Sequence, residues 1–350
     1  MTQGRVPDFT HNAVGQLVRE HYSRSGELQA LQAWCDLNFL LTSNTGEHSI
    51  VKIGGGSESF EALCAQNAAM TRLANDGFPV PRAIRNLDGV DVTRVRDQQG
   101  RECYLRLLTY LPGCFYADIP VRKQTPALWQ SLGSLLGRLN VAMADLEPGD
   151  TDHYRLWDLA NGEATCESRK QALDDGQRAL VDYFLGYYRN HVLPLTGDMP
   201  RSVIHNDAND HNLLVDDSNN PQAIAGLIDF GDMVYSHTVN DLAIAAAYAL
   251  MGQPEPLDTL QHLVSNYHAE RPLNEAEVEA LYGLIALRLC TSVCNASTEF
   301  AARPDNDYLL ISAAPAWDLL GKLRELSPDA VAHRLRHACD MPACRGTSQE

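Results

Sequence analysis

The order of apolar and polar positions divides this chain into two stretches of different character. In the first third, Val14, Leu17, Val18 and His21 follow helical spacing and predict a short amphipathic helix. Two β-rich runs follow, Phe39–Thr42 and Ser49–Ile53, separated by the turn-forming Ser43-Asn44-Thr45-Gly46-Glu47. That arrangement predicts a hairpin. Gly54-Gly55-Gly56 breaks the second run, and a helix is predicted from about Ser57 to Asn75, with Phe60, Leu63, Ala68 and Leu73 along it. A second hairpin around Asp97-Gln98-Gln99-Gly100 pairs Val90–Val95 with Cys103–Leu108. The strand running through Leu107 and Leu108 ends at Pro112-Gly113, which reads as a linker. The predicted division is an N-terminal lobe over 1–108, a hinge over 109–113 and a C-terminal lobe over 114–350.

Beyond that break the pattern is mostly helical. Leu128, Leu132, Leu135, Leu136, Leu139 and Met143 form one apolar stripe, and helices are also predicted near 170–192, 239–251, 256–270, 275–302 and 314–339. One β-rich island interrupts them: Leu213-Leu214-Val215, a polar turn, then Ala223–Asp229. The fold class expected is α+β and bilobal, with a small lobe of antiparallel sheet plus helix and a larger, mainly helical lobe.

Composition narrows the function. The 350 residues are 45% hydrophobic, enough for a sizeable core, and carry a net charge of −17. Such a surplus of acid speaks against gripping a nucleic-acid backbone or an anionic membrane. No run of about 18 apolar residues predicts a spanning helix, and the first residues lack the apolar stretch of a signal peptide. A cytoplasmic location is therefore expected, with the nine cysteines as free thiols. Only four lysines are present, Lys52, Lys123, Lys170 and Lys322, so a lysine inside the apolar strand 50–53 stands out.

Candidate chemistry brackets the β-rich island. Before it lies His205-Asn206-Asp207-Ala208-Asn209-Asp210-His211-Asn212, and after it Asp229-Phe230-Gly231-Asp232. H-x-D-x-x-x-x-N, a hairpin, then D-F-G is the layout of a phosphoryl-transfer site as protein kinases use it. One carboxylate holds the acceptor hydroxyl and takes its proton. An amide oxygen and a second carboxylate hold Mg2+ against the phosphates. The intervening hairpin would bring Asn212 and Asp229 to one edge.

With these motifs the chain resembles the aminoglycoside phosphotransferase/choline kinase superfamily, of protein-kinase-like fold, and is most similar to its hydroxylysine-kinase-like branch. Supporting segments are Asp36-Leu37-Asn38-Phe39, Val51-Lys52-Ile53, Gln66-Asn67, Arg106-Leu107-Leu108 and Trp157-Asp158-Leu159-Ala160. The resemblance implies a nucleotide bound in a cleft and transfer of a γ-phosphoryl group from ATP or GTP to a small, cationic hydroxyl compound. It assigns Asp207 as catalytic base, Asn212 and Asp229 as Mg2+ ligands, and Lys52 as the contact to the α/β-phosphates. Asp241 would brace the catalytic loop. His205 reads as a loop-supporting histidine, and Asp232 as either a further ligand or merely the end of the strand.

The chain departs from the pattern in two places. No G-x-G-x-x-G lid is present, and the corresponding turn falls near Ala33-Trp34-Cys35-Asp36. The helix acid expected to pair with the lysine is replaced by Cys64, leaving Glu61 one turn earlier as the substitute, with Glu58 as a further option. That departure motivates an alternative reading as a pseudokinase binding module. A phosphotransferase for aminoglycosides or other cationic alcohols is a second alternative. Arg288 and Glu299 are candidates for recognising the carboxylate and ammonium of the acceptor. His333, His337, Cys339 and Cys344 form a weak zinc pattern, which a basic helix end explains as well.

Overall fold

The computed structural model describes residues 6–31, 36–55, 58–147, 155–302 and 313–342. Helix α1 (His11–Tyr22) starts where the Thr10 side chain accepts from the Ala13 N–H, and it buries Val14, Val18 and Tyr22. Strands β1 (Gly26–Leu31), β2 (Leu37–Ser43) and β3 (His48–Gly54) follow, then α2 (Phe60–Asn75), β4 (Ala83–Ile84), β5 (Thr93–Arg96) and β6 (Glu102–Thr109). They form an antiparallel sheet in the order β1-β2-β3-β6-β4, with β5 also on β6. Ser59 caps α2 through the Ala62 N–H.

Side chains alternate between the two faces of this sheet, so register decides which residues meet. Val51 lies opposite Phe39 and Leu107, and Ile53 opposite Leu105. These residues close over Val14, Val18 and Tyr22 of α1 in one apolar core. On the other face the register sets Lys52 between Asn38 and Arg106. Both cations are buried there, and Arg106 donates to the Gln66 and Asn67 side-chain oxygens of α2 at 3.0 and 3.2 Å. The same alternation that builds the core thus sets two cations side by side.

The remaining elements are β7 (Cys114–Phe115), α3 (Pro126–Met143), α4 (Gly162–Arg169), α5 (Asp175–Tyr187), β8 (Arg201–Ile204), β9 (Leu213–Val215), β10 (Ile224–Leu227), β11 (Val234–His237), α6 (Val239–Leu250), α7 (Pro256–Glu270), α8 (Glu275–Ala302), α9 (Ala313–Glu325) and α10 (Pro328–Ala338). They include a three-stranded sheet, β10-β9-β7, and a two-stranded one, β11-β8. The chain divides into two compact units. One comprises the described residues up to Pro112 together with Gly226–Gly231, and the other holds the rest.

Several expectations needed correction. The helix expected over 314–339 is two helices, because Ser327 caps α10 through the Ala330 N–H and Pro328 occupies its first turn. Strand β1 was not anticipated: it is exposed along nearly its whole length and shows no alternation. The short strands β4, β7, β8 and β11 also escaped the periodicity. Helix α8 has the length and hydropathy of a membrane span, yet 83% of its most apolar window is buried. It contacts α4, α6, α9 and α10, as a core helix does.

Two glycines let α3 approach α7 closely. A Cβ on Gly133 would fall 2.2 Å from the Leu263 carbonyl oxygen, and one on Gly137 would fall 2.8 Å from that of Tyr267. Gly133→Ala therefore forces backbone apart. We expect a net loss of about 2 kcal/mol, against the roughly 1 kcal/mol that alanine gains in helix propensity. Urea unfolding should show a lower midpoint at unchanged slope.

Candidate active site

Strand β8 ends at Ile204 and the chain enters the loop 205–212. Asp241, on α6 and fully buried, organises it. Its Oδ2 accepts from the His205 backbone N–H at 3.1 Å and from Asn140 Nδ2 at 2.7 Å, and its Oδ1 from the Asn206 N–H at 2.6 Å. Tyr267 donates in turn to Asn140 Oδ1 at 2.6 Å, which ties the loop to α3 and α7. Burial pushes the Asp241 carboxyl up, opposed by the charge of His205 and by the three donors. The expectation for this aspartate was a bracing role. His205 is likewise internal, its Nδ1 accepting from the Asp207 N–H at 3.3 Å.

Asn206 takes a left-handed φ of +66°, which turns the chain so that Asp207 leaves the buried part of the loop. The Asp207 carboxylate is held on both oxygens. Oδ1 accepts from Arg288 Nη2 at 2.8 Å. Oδ2 accepts from Asn209 Nδ2 at 2.9 Å and Asn212 Nδ2 at 2.8 Å. Asn212 Nδ2 also donates to the Asp207 carbonyl at 2.9 Å. With its amide nitrogen so committed, Asn212 keeps Oδ1 as the atom it could offer to a cation. Asn209, not singled out from the sequence, additionally accepts from the His211 and Asn212 N–H groups and so shapes the turn.

In the other unit, Lys52 Nζ donates to Asp229 Oδ1 at 2.8 Å. Lys52 is nearly buried while the Asp229 side chain stays 42% exposed. Lys52 holds the Asp229 carboxyl down to about 2, helped by its hydrogen bonds from Lys52 and the Gly231 N–H and by the charge of Arg106. Asp229 is therefore an anion at physiological pH. It adopts a φ of +62°, and its Oδ1 also accepts from the Gly231 N–H at 3.3 Å. Asp36 lies in the same charged group, its carboxyl raised by burial and by Asp229 and lowered by Lys52.

Other expected site residues fall elsewhere. Glu61 is exposed on α2, and the partner of Lys52 is Asp229 instead. Glu58 accepts from Gln66 Nε2 at 3.1 Å. Arg288, expected to read the acceptor, is 1% exposed and pairs with Asp207. Glu299, eleven residues further along α8 and so about 16 Å along its axis, pairs with Arg169 at 3.5 Å. Asp232 acts on Arg288 through its charge. The turn expected near Ala33-Trp34-Cys35 and the Cys344 of the zinc pattern lie outside the described residues. Among the described residues no three His, Cys, Asp or Glu side chains gather as a metal cluster.

Comparisons with known proteins bear on this arrangement. A model of the phosphotransferase enzyme family matches residues 27–273. The chain is 28% identical to hydroxylysine kinase of Danio rerio over 345 residues, spanning 95% of this chain and 96% of that one. The structure of a microcompartment-associated aminopropanol kinase is similar with a TM-score of 0.72 at 18% identity, covering 92% of this chain and 99% of the other. An amicoumacin kinase in complex with AMP-PNP, Ca2+ and Ami is similar with a TM-score of 0.70 at 16% identity, covering 92% and 97%. Both show the same α+β kinase fold, and the family match spans well over half of the sequence: the chain belongs to the phosphotransferase enzyme family.

Proposed function

We propose that this protein transfers the γ-phosphoryl group of ATP or GTP to the hydroxyl of an amino alcohol or hydroxy amino acid, with Asp207 as base. The observation that carries this reading is the coupling of Asp207 to Asn212, whose amide donates to it twice. A proton acceptor and a hard oxygen donor are thereby held as one unit, as the reaction requires. The relatives named above act, by their names, on hydroxylysine and aminopropanol, which share a hydroxyl and an amine.

Asn212 and Asp229 offer an amide oxygen and a carboxylate, the donor types a hard divalent cation takes, and would hold Mg2+. When bound, the metal supplies charge neutralisation at the phosphate oxygens. Lys52 contributes a fixed positive charge toward the α/β-phosphates, released from Asp229 as the phosphates arrive. Asp207 orients the acceptor hydroxyl and takes its proton late, since a carboxylate is a weak base for an alcohol. Positioning and charge stabilisation supply most of the rate. The acidic surface, net −17, suits a cationic acceptor. A cytoplasmic setting, in which the seven described cysteines stay free, completes the reading.

A coupled nucleotide-consumption assay tests this. We expect turnover, abolished by chelation of divalent metal, with hydroxylysine or a short amino alcohol, a phosphorylated product by mass spectrometry, and no turnover with lysine, which lacks the hydroxyl. Preference for kanamycin would move the substrate class to aminoglycosides. Nucleotide binding with no turnover on any of these would make the chain a binding module.

A further inference from the structure

Arg288 is the largest fully buried side chain among the described residues. A buried guanidinium is costly unless its charge is paired, and the fork suits planar, directional partners that a lysine cannot match. Nε of Arg288 has no partner among the described residues, so the two Nη atoms make its hydrogen bonds. Here Nη2 donates to Asp207 Oδ1 at 2.8 Å and to the Tyr248 hydroxyl at 3.3 Å, and Nη1 to the Trp157 carbonyl at 3.3 Å. The Trp157 and Tyr248 rings lie 4.9 and 5.4 Å from the guanidinium carbon. Tyr248 is itself tied to Ser292 at 3.2 Å. The fork is thus gripped from α6, from the loop 205–212 and from the Trp157 segment.

We propose that Arg288 is a positioning residue: within its aromatic sleeve it fixes the orientation of the Asp207 carboxylate through Oδ1, and it does not contact the acceptor. The proposal rests on the reading of Asp207 as base. Exposure separates orientation from recognition. Only 2% of the Arg288 side chain is open, against 18% for Asp207, so an acceptor that reaches the carboxylate finds the guanidinium behind it. With Asn209 and Asn212 on Oδ2, the arginine fixes the carboxylate plane from the opposite oxygen. Losing that hold lets the carboxylate rotate, and a misplacement of about 1 Å costs on the order of 10²-fold in rate.

The experiment is a double-mutant cycle of Arg288→Ala and Asp207→Asn read by steady-state kinetics, with Arg288→Lys and Tyr248→Phe alongside. Arg288→Ala should lower kcat about 10²-fold with KM for nucleotide and acceptor within about threefold. Arg288→Lys should recover part of the loss, and the double variant should be no slower than Asp207→Asn alone. Should Arg288→Ala fail to fold, Tyr248→Phe, which keeps the charge and loosens the sleeve, should still lower kcat at unchanged KM. A rise in acceptor KM alone, additive losses in the cycle, or an unchanged kcat in both Arg288→Lys and Tyr248→Phe would overturn the proposal. Retention of activity by Asp207→Asn would instead remove the base reading itself.

Discussion

Asp207→Asn is expected to lower kcat by about 10²–10⁴ while leaving the nucleotide KM close to wild type, with a lower melting temperature because the buried Arg288 loses its charged partner. The substitution keeps the shape of the side chain, so its effect is chemical. It removes the group proposed to take the acceptor proton. It also replaces one of two charged acceptor oxygens by a donor. That donor must face either Arg288 or the Asn209–Asn212 pair, all of which donate. Whichever way the amide turns, one set of hydrogen bonds becomes a donor–donor contact. Steady-state kinetics with thermal melts would check this, and turnover within about tenfold of wild type would exclude Asp207 as the base.

The second large effect is on stability. Asp241→Ala should cost about 3–5 kcal/mol, seen as a lower urea midpoint at similar slope. Three buried donors converge on this carboxylate: the His205 and Asn206 backbone N–H groups and Asn140 Nδ2. Each loses its acceptor when the side chain is truncated, and water has little access to replace it. Asp241→Asn should also be destabilising, since an amide presents one oxygen where two are in use. A loss below about 1 kcal/mol, the worth of a single ordinary hydrogen bond, would show that the network does not hold the loop.

The local signals read well from the sequence because the chemistry there is short-range. The spacing of His205, Asp207 and Asn212 sits within one loop, and strands β2, β3, β5 and β6 each carry a turn signal or alternation of their own. The α+β class followed from the change of period near Pro112. Partners remote in sequence were not legible. Asp207 meets Arg288 across 81 residues and Lys52 meets Asp229 across 177, and no periodicity encodes such pairs. Arg288 and Glu299 both looked like recognition groups because both are charges on one apolar helix. Their partners distinguish them: Arg288 pairs with Asp207, and Glu299 with Arg169 toward the C-terminal end of that helix. Glu61 failed for a similar reason: it lies one turn before Cys64, the expected position of the acid, and its side chain lies on the solvent face. Asn209 carried a faint signal, since its position two residues after Asp207 is where a short amide can fold back on a carboxylate.

Asn206 gives the loop a dynamic character of its own. It sits at positive φ, and both atoms of its side-chain amide are buried without a partner among the described residues. Left to its own preference, this segment would leave that conformation. It is kept by Asp241, and to let go α6 would have to leave a carboxylate unpaired in its core. Opening the loop by itself therefore costs nearly as much as opening the helices beneath it. Protection of the His205 and Asn206 amides against solvent exchange belongs with that of the core and unlike that of a mobile lid. The carboxylate proposed as base is thus joined directly to a segment that should open only with the core.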